Sequence, residues 1–137
     1  PQRKKLEQMI KKMKLTNVHL TGFIDNETLI KLYYVADVFV APSVWDEPLG
    51  LTIIEAMAAG TPVVVTRKGG ITMAVKDGQT GFFVRSRNAS DIAEKVNRLL
   101  EDDALARRMG ERERAVVLNR FTWKKISHKF ELIYNKF

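Results

Sequence analysis

Two carboxylates eight residues apart, Glu47 and Glu55, bracket the stretch of this sequence best equipped for chemistry, "EPLGLTIIE". Glu47 falls on a loop that Pro48 and Gly50 shape into a turn. Glu55 falls inside a run from Leu51 to Gly60 that is otherwise apolar apart from Thr52. A helix so apolar is expected to be buried all round, and a buried carboxylate without a partner is either costly or neutral. Glu55 therefore has a polar partner or waits for one. The amides near Gly50, Leu51 and Thr52, at the start of that helix, form a candidate phosphate cradle. Glu55 lies about one turn further in, and helical side chains lean toward the N-terminus. That places it in the same crevice, where it would accept hydrogen bonds from ribose hydroxyls. A structural salt bridge to one of the many lysines or arginines is the alternative, and spacing does not separate the two. A glycosidase pair is a third reading, but the carboxylate separation it needs is a tertiary property. One carboxylate on a loop and one in a helix more naturally grip different parts of one extended ligand.

The elements that must position these residues alternate along the chain. "VHLTG" (18–22), "VFVAP" (38–42), "PVVVT" (62–66) and "GFFV" (81–84) read as strands closed by turn formers. Their continuous apolar character implies burial on both faces, as in a parallel sheet covered by helices. Helices are predicted near 26–35, 50–59 and 71–76. In such sheets ligands sit beyond the carboxyl ends of the strands, which is where "VFVAPS" runs into the loop of Glu47. The final third reads as helical: Ser90 is placed to cap one helix, a second covers 103–118, and Thr122 caps a third. The stripe of Trp123, Ile126, Phe130, Ile133 and Phe137 along that third helix must lie against something.

Bulk properties narrow the function classes. With 137 residues the chain suits one domain with a real core. It has no cysteine, which excludes disulfides and thiolate metal sites, and its two separated histidines argue against zinc. No signal peptide or spanning segment is visible, so a soluble, cytoplasmic protein is expected. The net charge of +7 invites an anionic partner. The basic residues cluster at 3–14 and 106–120, at helical spacing and without interleaved aromatics, so they read as solvated helix faces and no nucleic acid is expected; peripheral membrane contact stays open.

The stretch Pro42 to Val84 resembles the donor-binding signature of family 4 glycosyltransferases, retaining enzymes of the GT-B fold with two facing Rossmann-like domains. The resemblance rests on Glu47 and Glu55 separated by seven residues, then "EAMAAGTPVV", the "GG" turn and the "G-x-T-G-F" strand entry. The flanks "NVHLTGFIDNETLIKLYYVADVFVAPS" and "FTW" extend it to nearly the whole chain. It implies a Rossmann-like α/β domain that binds a nucleotide diphosphate sugar, with no metal or cofactor. By this resemblance Glu55 binds the donor ribose, and Glu47 lies beside the transferred sugar as the catalytic candidate. Backbone amides of the following loop meet the sugar and the diphosphate. Pro48 has no amide hydrogen, so Leu49, Gly50 and Leu51 are the available donors there, with Thr52 next in the cradle. Gly22, Phe23 and Ile24 would border the nucleobase.

Two features depart from the family pattern. Met73 stands in "GGITM" at the usual acidic position, and Leu49 replaces a frequent Phe. The family's first two strands of this domain and its N-terminal acceptor domain have no counterpart here, so the chain is expected to be part of a longer enzyme and inactive alone. The strand at 18–22 would otherwise need a partner from a second copy. The competing function is a noncatalytic Rossmann-like module that uses its basic surface on an anionic partner.

Overall fold

The computed structural model describes residues 2–135. Its elements are α1 (Arg3–Lys12), α2 (Asn26–Val35), β1 (Phe39–Ala41), α3 (Leu51–Ala59), β2 (Val63–Thr66), a 3-10 turn at Gly69–Met73, β3 (Phe82–Val84), α4 (Ala89–Glu101), α5 (Asp103–Arg120) and α6 (Trp123–Tyr134). Short polar side chains start most of the helices by accepting an orphan N–H. Asp25 accepts from Thr28 N–H, Asp102 from Leu105 N–H and Thr122 from Lys125 N–H. For α4 the cap is Asn88, which accepts from Asp91 N–H, and Ser90 is already inside the helix. An amide side chain two residues upstream outcompeted the serine. The helix expected at 71–76 is instead the 3-10 turn, which is too short and too glycine-rich at its start to continue as α.

The three strands form a parallel sheet in the order β1-β2-β3, with Phe39 opposite Val63 and Val64 opposite Phe82. Every residue of β2 is buried, as its unbroken apolar run requires. Val63 and Val65 face one core with Ile53, Met57, Ile71 and Val117. Val64 faces another with Phe82, Val84, Leu99 and Met109. This α/β architecture matches the Rossmann-like expectation, with fewer strands than the sequence suggested.

The missing strand is the one read at 18–22. Residues 17–24 carry no strand, and Arg3 Nη2 donates to Leu20 O at 3.3 Å where a ladder would otherwise run. A strand exists only through pairing, and no extended neighbour among the described residues offers one. The apolar stripe of α6 is also corrected: Trp123 is 86% exposed, and Phe130 and Ile133 are both more than half exposed. Periodicity marked the face correctly but could not supply a surface to cover it. Phe137 lies outside the described residues.

Candidate functional site

The site forms where the loop after β1 meets the first turn of α3. Gly50 caps α3 with φ +74, a left-handed conformation that glycine adopts freely. Its carbonyl accepts from Ile53 and Ile54 N–H. Among the described residues the amides of Leu49, Gly50, Leu51 and Thr52 have no acceptor, which leaves them free at the positive end of the helix dipole. A cavity of about 510 Å³ opens there, lined by Glu47, Pro48, Leu49, Gly50, Leu51 and Thr52.

The double glycine holds this loop from behind. Gly70 N–H donates to Glu47 O at 2.8 Å, and Gly69 N–H donates to Asp46 Oδ1 at 3.2 Å. A Cβ at Gly70 would lie 2.0 Å from Pro48 O, and one at Gly69 would lie 2.2 Å from Glu47 O. No other residue type permits so close an approach. The Glu47 carboxylate is fixed as well, since its Oε1 accepts from Ser43 Oγ and Trp45 Nε1, both at 2.9 Å. Neither residue was singled out in the sequence, although their offsets of four and two place both within reach.

Glu55 is not buried. Ile53, Ile54, Ala56 and Met57 turn inward, while Leu51, Thr52 and Glu55 share the exposed face of α3. The near-unbroken apolar run hid this face, because Leu51 is apolar yet 67% exposed. Among the described residues Glu55 is paired with no arginine or lysine. Its Oε2 instead accepts from the Tyr33 hydroxyl at 3.2 Å. It lines a second, smaller cavity of about 180 Å³ with Ile30, Tyr33, Tyr34, Ala58 and Ala59, distinct from the Glu47 cavity although one helical turn away. The two carboxylates therefore address neighbouring depressions along one helix face.

Tyr33 is the residue that sequence reading missed. It is buried, stacks edge-on against Phe39 at 5.5 Å, and its carbonyl accepts from Thr61 Oγ1. Burial, and then the neighbouring Glu55 charge, push its phenol up to about 12, so it stays a protonated donor at neutral pH.

Of the remaining candidates, Gly22, Phe23 and Ile24 line neither cavity, and Phe23 is 96% exposed. Met73 is more than half exposed at the end of the 3-10 turn, and Arg120 Nη1 donates to its carbonyl at 3.0 Å. Among the described residues no group of three or more His, Asp or Glu side chains gathers to hold a metal. None of their helices is long and apolar enough to cross a membrane.

Residues 1–116 match the family model described as glycosyl transferases group 1. The chain belongs to the group 1 glycosyltransferases. An uncharacterised glycosyltransferase of Methanocaldococcus jannaschii is 39% identical over 113 residues, covering 82% of this chain and 29% of the relative. Sucrose-phosphate synthase from Thermosynechococcus elongatus superposes with a TM-score of 0.89 at 36% identity, over 98% of this chain and 34% of that one. HepE of Anabaena, in complex with UDP-glucose, superposes at 0.88 with 27% identity, over 98% of this chain and 36% of that one. This group 1 glycosyltransferase chain thus spans about a third of the proteins it resembles, and its fold is that of GT-B C-terminal domains.

Proposed function

We infer that this chain is the donor-binding part of a retaining family 4 glycosyltransferase that takes a nucleotide diphosphate sugar. The observation that carries the reading is the row of unpartnered amides from Leu49 to Thr52 at the N-terminus of α3, with Glu55 one turn behind it on the same exposed face. Amides at a positive helix end suit a diphosphate, and a carboxylate suits hydroxyls. The rise of one turn, about 5.4 Å, suits adjoining parts of a single ligand. Solved neighbours carry UDP and UDP-glucose, which supports a nucleotide-sugar donor here.

In this reading the diphosphate lies on the Leu49–Thr52 amides, Glu55 holds the ribose, and Glu47, held by Ser43 and Trp45, touches the transferred sugar. As the bond from the sugar to phosphate breaks, negative charge grows on the departing oxygen, where the amides and helix dipole already point. The acceptor oxygen bonds to the same face of the sugar, and its proton passes to the leaving phosphate. The complete enzyme would supply the acceptor surface, and positioning acceptor against donor is a large part of the rate. Neither a metal nor a protein nucleophile is needed, and the setting would be the cytoplasm.

Calorimetry with UDP, ADP and GDP sugars tests this. One of them should bind, and Glu55→Ala should weaken it by about tenfold or more, the scale of a lost charged hydrogen bond. Saturation unchanged by Glu55→Ala would remove the ribose assignment. Binding that instead followed polyanions and collapsed with salt would favour a basic-surface module.

A further inference from the structure

Glu55 is an unusual carboxylate for a chain with 23 basic residues, because its partner among the described residues is a phenol. Tyr33 is 4% exposed, its ring packs edge-on against Phe39, its hydroxyl meets Glu55 of α3, and its carbonyl is tied to Thr61. Such a side chain has almost no rotational freedom, so its hydroxyl is a fixed point. One fixed donor on Oε2 restricts a carboxylate that would otherwise rotate freely on an exposed helix face. It leaves Oε1 without a partner among the described residues and Oε2 with spare lone-pair capacity. The walls of the small cavity in front of this group, Ile30, Tyr34, Ala58 and Ala59, include no further charge.

We propose that Tyr33 is a positioning residue for the donor: its hydroxyl orients the Glu55 carboxylate so that both oxygens face the vicinal hydroxyls of the donor ribose. This rests on the donor-site reading above and deepens it, since it assigns the discrimination of ribose to a two-residue unit contributed by α2 and α3. A cation in place of the phenol would compete with the ribose for the same lone pairs through a stronger charged contact. A single neutral donor fixes the carboxylate without neutralising it.

The test compares wild type and Tyr33→Phe, which keeps the ring and its packing and removes only the hydroxyl. UDP, ADP and GDP are titrated first, and the tightest is then compared with its 2′,3′-dideoxy form. Wild type is expected to prefer the ribonucleotide by about tenfold or more. Tyr33→Phe is expected to lose most of that preference, by weakened ribonucleotide binding with dideoxy binding unchanged. A purely structural role would weaken both ligands alike and leave the ratio intact, and that result overturns the proposal. So does an unchanged ribonucleotide affinity in Tyr33→Phe. If wild type binds none of the three nucleotides, the donor-site reading itself falls, and this assignment falls with it.

Discussion

Glu113 on α5 accepts a hydrogen bond at 3.1 Å from the backbone N–H of Val63, the first residue of β2 and fifty positions earlier in the chain. Its side chain is fully buried, and Oε2 has no partner among the described residues. The neighbours one turn away on the same helix face, Met109 and Val117, belong to the two different cores. The carboxyl therefore sits at the seam between them.

Burial pushes the Glu113 carboxyl up from 4.5 to about 8, against a smaller opposing pull from Val63 N–H. The unfolded chain releases this proton near 4.5 while the folded chain keeps it to about 8. Its contribution to stability is thus fully present below 4.5, is lost on the order of 1 kcal/mol per pH unit through the window, and levels off above about 8. Glu113→Gln keeps an acceptor for Val63 and removes the titration. Urea midpoints measured across this range should fall with pH in wild type and stay nearly level in the variant.

How much of this was legible beforehand differs from residue to residue. The glycine and proline punctuation around "VFVAPS" and "EPLGL" marked the loop and the helix start, because turn chemistry is local, and the unpaired amides of Leu49 to Thr52 lie at that helix start. Burial is not local. The sequence reading assigned the buried acid to Glu55, since it lies in a run of apolar letters, yet the acid that is buried is Glu113 in a charged helix. The signal was present: Met109, Glu113 and Val117 recur every four residues, so Glu113 lies on an apolar stripe. The strand read at 18–22 failed for a related reason, as a ladder depends on a partner that no local pattern can announce.

Gly110 faces Gly60 so closely that a Cβ there would lie 2.0 Å from the Gly60 carbonyl oxygen. Gly110→Ala should force α5 away from the end of α3, destabilising by about 1–3 kcal/mol. Gly78→Ala is the comparison, because nothing lies within 4 Å of its added methyl and only its φ of +69 opposes the change. That variant should lose about 1–2 kcal/mol. Thermal melts should place both variants below wild type.

Gly70→Ala acts instead on the loop between β1 and α3, the proposed donor site. Its methyl would collide with Pro48 O at 2.0 Å and displace Glu47 to Leu49 from their positions. Donor affinity should drop by about tenfold or more, on the scale of losing a charge-assisted contact, while far-UV circular dichroism stays close to wild type. Calorimetry and dichroism on one preparation separate the two effects.

Trp45 offers an optical check, being 63% exposed with its Nε1 on Glu47. The chain has two tryptophans, so Trp123→Phe isolates this one. Titrating that variant with the donor should change its emission with the dissociation constant found by calorimetry. A Trp45→Phe variant should show little response.

The position of α5 has a wider consequence. Because Met109 anchors it in one core and Val117 in the other, neither layer can open without dragging the same rod out of its neighbour. Amide exchange in β2 and in the middle of α5 should then report a single common opening, and the two halves of the interior should behave as one cooperative unit.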